Sequence, residues 1–261
     1  MSEPEATRPP ANGTGPDDTS QAEAPVVLEL ARVNAGYRQF RALFDVSLQV
    51  RGAEAVALIG PNGAGKTTVA RVASGLVVPS AGKVSIDGLD MTGRPAQDFA
   101  LAGVAHAPEG RSVFATLDVE ENLALPFHRQ FGRAGVRGAL EQAYELFPRL
   151  GERRHQNAGL LSGGEQRMLS LARVLVLEPK VLIADELSLG LAPILIHELY
   201  AVLERILASG TALLVVEQHV DQALALAHHL VVLERGRVVF SGPPDDTEAL
   251  SSFLPTGGAR P

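Results

Sequence analysis

Residues 55–68 read Ala-Val-Ala-Leu-Ile-Gly-Pro-Asn-Gly-Ala-Gly-Lys-Thr-Thr. An apolar run leads straight into a glycine-rich loop. A lysine and two threonines then open an apolar-periodic segment. The spacing fits G-x-x-x-x-G-K-T at Gly60, Gly65, Lys66 and Thr67, and it predicts a strand over 55–59, a phosphate-holding loop and a helix over 66–76. The loop residues Gly60, Pro61, Asn62, Gly63, Ala64 and Gly65 bring backbone amides close to phosphate oxygens. Lys66 adds a positive charge at the β/γ-phosphates. The Thr67 hydroxyl suits Mg²⁺, and Thr68 continues the helix start.

A second helix start of this kind lies downstream. Residues 161–166 read Leu-Ser-Gly-Gly-Glu-Gln and run into a long apolar-periodic segment. Ser162, Gly163, Gly164 and Glu165 form a cap signature followed by unpaired amides, where the macrodipole is positive and anions bind. The chain thus carries two phosphate-grade helix starts.

Carboxylates complete the pattern. The run Val181–Ala184 predicts a buried strand with Asp185 and Glu186 at its tip. An acid there, downstream of a P-loop, suits Mg²⁺ held through water. The adjacent Glu186 is placed to orient or deprotonate an attacking water. His219 follows the predicted strand 213–216 and is suited to donate a hydrogen bond to a γ-phosphate; a structural histidine is the competing reading. Glu109 follows the predicted strand 104–107, and a plain surface acid weighs nearly as much as a role near the metal. Tyr37, read as a loop residue, either stacks on a base or packs in the core.

Composition bounds the rest. The chain has 261 residues, a net charge of −7, 46% hydrophobic residues, and neither cysteine nor tryptophan. That excludes disulfides, thiolate metal sites and a cysteine nucleophile, and it disfavours a nucleic-acid surface. No apolar run nears the roughly 18 residues of a membrane span. Residues 1–25 are rich in Pro, Gly, Ala, Thr and acids and are expected to be a disordered tail without a secretory signal. Further strands are predicted at 26–32, 44–50, 83–87, 230–234 and 237–240, the last two as a hairpin. Helices are predicted at 95–101, 163–177 and 193–207, and over most of 119–150 with an interruption at 132–138. Strands alternating with helices give an α/β core with a mostly parallel sheet, and the helical stretch 91–160 reads as an inserted lobe.

Taken in order, Tyr37, the loop 60–68, Glu109, L-S-G-G-E-Q, Asp185-Glu186 and His219 resemble the nucleotide-binding subunits of ABC transporters, over about 27–242. The stretches A-P-E-G-R-S-V-F at 107–114, V-E-E-N-L at 119–123, E-L-F-P-R-L at 145–150 and S-L-G-L-A-P at 188–193 are similar to the ATPases of branched-chain amino-acid importers. The resemblance implies a P-loop ATPase core, an antiparallel β subdomain, the helical lobe, and a C-terminal tail from 243. It implies ATP and Mg²⁺ as ligands, with Thr67, Glu109 and Asp185 near the metal. It implies a second ATPase subunit packed head to tail, so that Ser162–Glu165 serve the ATP held by the partner's P-loop. It further implies membrane permeases docked on the helical lobe, with 111–133 expected as the docking surface, and an external solute-binding protein beyond them. The chain is then cytoplasmic and peripheral at the inner membrane face.

Two departures stand out. Leu187 replaces the family's usual proline, which predicts a looser backbone there. His219 stands where the branched-chain importer ATPases often have asparagine, while the wider family usually has histidine. Ala192, at the wider family's usual aspartate position, matches the L-A-P ending of that subfamily. Soluble ABC ATPases of DNA repair are disfavoured, since only 96 positions separate Lys66 from Ser162, too few for a long coiled coil. Translation-type proteins carry two such domains in tandem. Exporters of lipid or polysaccharide remain the nearer competitor.

Overall fold

The computed structural model describes residues 24–110, 113–218 and 220–246. Within them, β1 (Val26–Tyr37), β2 (Phe40–Arg51), β4 (Ala81–Ile86) and β5 (Leu89–Asp90) form an antiparallel sheet in the order β2-β1-β4-β5. β3 (Ala55–Ile59), β6 (Val104–Ala107), β7 (Val181–Asp185), β8 (Ala212–Glu217), β9 (His229–Glu234) and β10 (Arg237–Gly242) form a second sheet in the order β10-β9-β3-β8-β7-β6. Its strands are parallel except for the β9–β10 hairpin. The helices are α1 (Lys66–Ala73), α2 (Ala96–Leu101), α3 (Val119–Leu146), α4 (Pro148–Glu152), α5 (Gly163–Leu175), α6 (Pro193–Ala208) and α7 (Val220–Leu226).

The central strands are apolar throughout because both their faces are covered. Leu182 and Ala184 of β7, with Leu213 and Val215 of β8, join the core under α3, α5 and α6. Their neighbours Val181, Ile183, Leu214 and Val216 join the core shared with α1 and the antiparallel sheet. Strand alternation thus divides one run of side chains between two layers. Each fully buried Leu, Ile or Val contributes about 1.5–3 kcal/mol to that arrangement.

Four expectations change. The early strands extend to Tyr37 and start back at Phe40, joined by a two-residue turn, so Tyr37 ends a strand and does not lie in a loop. Bulges break their alternation, with Arg32 and Asp45 in the left-handed region at φ 50° and 57°. The stretch 91–107 is not part of the helical lobe. Met91, Phe99 and Val104 are buried in the core beneath the antiparallel sheet, and β6 is the edge strand beside β7. The lobe's helices begin with α3. There the interruption narrows to one residue, Gly132 (φ 64°, ψ −178°), after which the helix resumes. The loosening expected at Leu187 is offset by other tethers: Leu187 is buried and its carbonyl accepts from Arg167.

Candidate functional site

The parallel register brings the carboxyl ends of three central strands together. Ile59 pairs with Glu217, and Asp185 with Val216. Ligands of open α/β sheets bind at this edge, outside the strand ends.

The loop after β3 turns tightly against β9. A Cβ at Gly60 would lie 2.1 Å from the Leu233 carbonyl oxygen, so no side chain fits. Gly65 caps α1 in the left-handed region at φ 107°, and no side chain caps this helix. The first amides of α1 are therefore left to a ligand, and anions suit them. Lys66 is buried; its Nζ donates to the carbonyls of Gly60 at 2.9 Å and Pro61 at 3.3 Å and lies 3.6 Å from Glu186 Oε1. A cleft of about 230 Å³ is lined by Tyr37, Phe40, Asn62, Gly63, Lys66, Thr67, Thr68 and Glu186, among others. Tyr37 is exposed at its mouth, where its hydroxyl accepts from Arg71 at 3.1 Å. Core packing of Tyr37 is thereby set aside, and its ring is open to a flat partner.

Glu186 takes φ 50°, an uncommon conformation for a glutamate. Its N–H donates to Val216 O at 2.8 Å, and its Oε2 accepts from Gln218 Nε2 at 2.7 Å. Arg167, buried on α5, donates to the carbonyls of Glu186 (2.8 Å) and Leu187. Asp185 is 1% exposed, and its Oδ1 has no hydrogen-bond partner. Its Oδ2 lies 3.9 Å from His106 Nε2, while His106 Nδ1 is 3.1 Å from Ser74 Oγ.

The other residues lie elsewhere. Glu109 is exposed after β6 and does not line the cleft. Ser162 and Glu165 close a reciprocal cap on α5. The Ser162 hydroxyl accepts from Glu165 N–H at 3.3 Å, and Glu165 Oε2 accepts from Ser162 N–H at 2.9 Å. Gly164 is buried against Leu195. None of these residues lines the P-loop cleft, and Ser162 and Glu165 border a different cavity with Phe147, Met168 and Leu195. One copy of the chain therefore does not bring its two phosphate cradles into one pocket. His219 lies outside the described residues. Sequence reasoning passed over Arg167, Ser188, Glu217, Gln218 and His106. The one available signal was a run of polar residues, Glu217-Gln218, directly after a wholly apolar strand.

A family model described as ABC transporter matches residues 43–188, more than half of the chain. The chain belongs to that family. It is an ABC-type ATP hydrolase subunit. Two curated relatives are similar over most of its length. BraG of Pseudomonas aeruginosa, a high-affinity branched-chain amino acid transport ATP-binding protein, is 42% identical over 82% of this chain and 91% of its own. LivF of Archaeoglobus fulgidus, a probable branched-chain amino acid transport ATP-binding protein, is 34% identical over 84% and 93%. A solved ATP-binding subunit of an ABC transporter superposes with a TM-score of 0.76 at 30% identity, covering 87% of this chain and 94% of that one.

Proposed function

We propose that this chain powers an importer of branched-chain amino acids or related small solutes by hydrolysing ATP at a site shared between two ATPase subunits. The likeness to BraG over nearly the whole cassette carries this reading. The proposed ATP site comprises Tyr37 against the base, Gly60–Thr68 around the phosphates, and Ser162, Gly163, Gly164 and Glu165 from the opposing subunit.

A Mg²⁺ ion fits the residues present. Thr67 faces the cleft and Asp185 holds a buried carboxylate oxygen without a partner, while the described residues contain no cluster of three or more metal-binding His, Cys, Asp or Glu. That matches Mg²⁺, which takes one or two protein ligands and completes its shell with phosphates and water. When bound, the ion neutralises charge on the β- and γ-phosphate oxygens. Lys66 binds the same phosphates, and Glu186 takes the proton of the attacking water. His219 contacts the γ-phosphate, and Glu109 reaches the metal region only if its loop moves inward.

Force reaches the membrane through a separate permease; no described helix of this chain is long and apolar enough to cross a membrane. The permease docks on the helical lobe along 111–133, where, among the described residues, Phe114, Leu125 and Phe131 are exposed. The subunit then sits at the cytoplasmic membrane face, with a solute-binding protein acting from outside.

The test is reconstitution of the chain with its co-purified membrane partners in vesicles. ATP-driven uptake of radiolabelled leucine, isoleucine or valine is expected. ATP-driven lipid or glycan export without uptake refutes the importer reading, and crosslinks placing the permease away from 111–133 refute the docking surface.

A further inference from the structure

Glu217, the last residue of β8, is 2% exposed, and a buried carboxylate is costly unless its oxygens are satisfied. Both are engaged by one residue. The Ser188 N–H donates to Oε1 at 3.0 Å, and the Ser188 hydroxyl donates to Oε2 at 2.7 Å. Ser188 is itself 2% exposed and lies two residues beyond Glu186.

This pair completes a ring of tethers around the turn 186–188. Val216 O holds the Glu186 N–H, Arg167 holds the carbonyls of Glu186 and Leu187, and Glu217 holds Ser188 at both backbone and side chain. Gln218, next in sequence, reaches the Glu186 carboxylate itself. Three consecutive residues at the end of one strand thus fix the backbone, the exit and the side chain of Glu186. The turn needs such fixing, because Glu186 sits at φ 50° with no proline after it.

We infer that Glu217 is a positioning residue for the proposed base: through its two bonds to Ser188 it holds the left-handed turn that aims the Glu186 carboxylate into the cleft. The inference rests on Glu186 acting as the base. Glu217 touches no substrate, so its effect falls on turnover and not on ATP affinity.

The experiment measures steady-state Mg-ATP hydrolysis and ATP-binding stoichiometry of the full-length chain carrying Glu217→Leu, Ser188→Ala, or both. Glu217→Leu removes both acceptors, whereas an amide would still accept from the Ser188 N–H and donate to its hydroxyl. Each single variant is expected to lower kcat at least fivefold, with KM for ATP and binding stoichiometry within twofold of the parent. The double variant should fall no further than the worse single, since both break one link. In a Glu186→Gln background neither substitution should change the residual rate. A kcat within twofold of the parent overturns the inference. So do losses that multiply in the double variant, or a drop in binding stoichiometry that matches the drop in kcat. If Glu217→Leu does not fold, Ser188→Ala decides alone, as it removes one hydroxyl. Full turnover in Glu186→Gln itself instead removes the base assignment and the inference with it.

Discussion

The Lys66 ammonium lies 3.6 Å from Glu186 Oε1, and both side chains are buried. The groups proposed to bind phosphate and to activate water thus form an ion pair with each other. In the proposed site, a phosphate held at Lys66 is expected to compete with Glu186 for the same charge.

That pairing separates binding from turnover. Glu186→Gln is expected to keep ATP binding and lower kcat by about 10²–10⁴-fold, the usual worth of a general base. It should also trap an ATP-bound dimer, visible by size-exclusion chromatography. Lys66→Ala should lose ATP binding and, by stranding a buried carboxylate, destabilise the fold by about 3 kcal/mol. Adding Glu186→Gln to Lys66→Ala should recover most of that stability in urea melts without recovering ATP binding. A double variant as unstable as Lys66→Ala would show that the pair is not the cause.

The serine of L-S-G-G-E-Q combines an observed duty with a proposed one. Its hydroxyl caps α5 within the chain, and it is exposed, as the proposed role at the opposing subunit's phosphates requires. Ser162→Ala should cost about 1 kcal/mol through the lost cap. It should leave ATP binding by the monomer intact while impairing dimer closure and hydrolysis. Ser162→Asp caps equally well but sets a carboxylate at the phosphate position. It is expected to keep stability and lose hydrolysis still more completely. Equal activity of Ser162→Asp and the parent in a coupled ATPase assay would remove this residue from the shared site.

Much of this site was legible because its parts are local. The glycine spacing at 60–65, the cap at Ser162 and the acids after Val181–Ala184 are each fixed by a few adjacent residues. What stayed hidden depends on contacts between distant ones. Arg167 and Glu186, like Ser188 and Glu217, meet only because α5, β7 and β8 pack side by side, and nothing in a heptapeptide window records that. The bulges at Arg32 and Asp45 hid the true length of the first two strands for a different reason. Each inserts a residue and reverses the inside–outside alternation by which a strand is recognised. The lobe boundary erred because β6 is short and half-covered, so Val104–Ala107 did not outweigh the helical texture around it.

Ala192 is the N-cap residue of α6 at φ −68°, ψ 149°, with no side-chain cap, and Pro193 opens the helix. The proline supplies a fitting φ but no hydrogen bond to the free amides. Ala192→Asp should therefore raise stability by about 1 kcal/mol, measured by chemical denaturation. No gain would mean that the first turn already finds donors' partners elsewhere.

Glu165 links the α5 cap to pH. Partial burial opposes its ionisation, but the Ser162 hydrogen bonds and the charges of Arg153 and Arg149 outweigh it, and the pKa falls below the ordinary 4.5. Arg153 Nε lies 3.1 Å from its Oε1. A carboxyl whose folded pKa is depressed adds stability above its unfolded pKa and loses it as pH drops through the folded value. The parent should therefore exceed Glu165→Gln in stability at neutral pH, with the gap closing as pH is lowered past about 4.5. Paired denaturation curves of the two proteins between pH 7 and pH 3 measure it. A gap that stayed constant across that range would place the contribution of Glu165 in its shape and hydrogen bonds, and not in its charge.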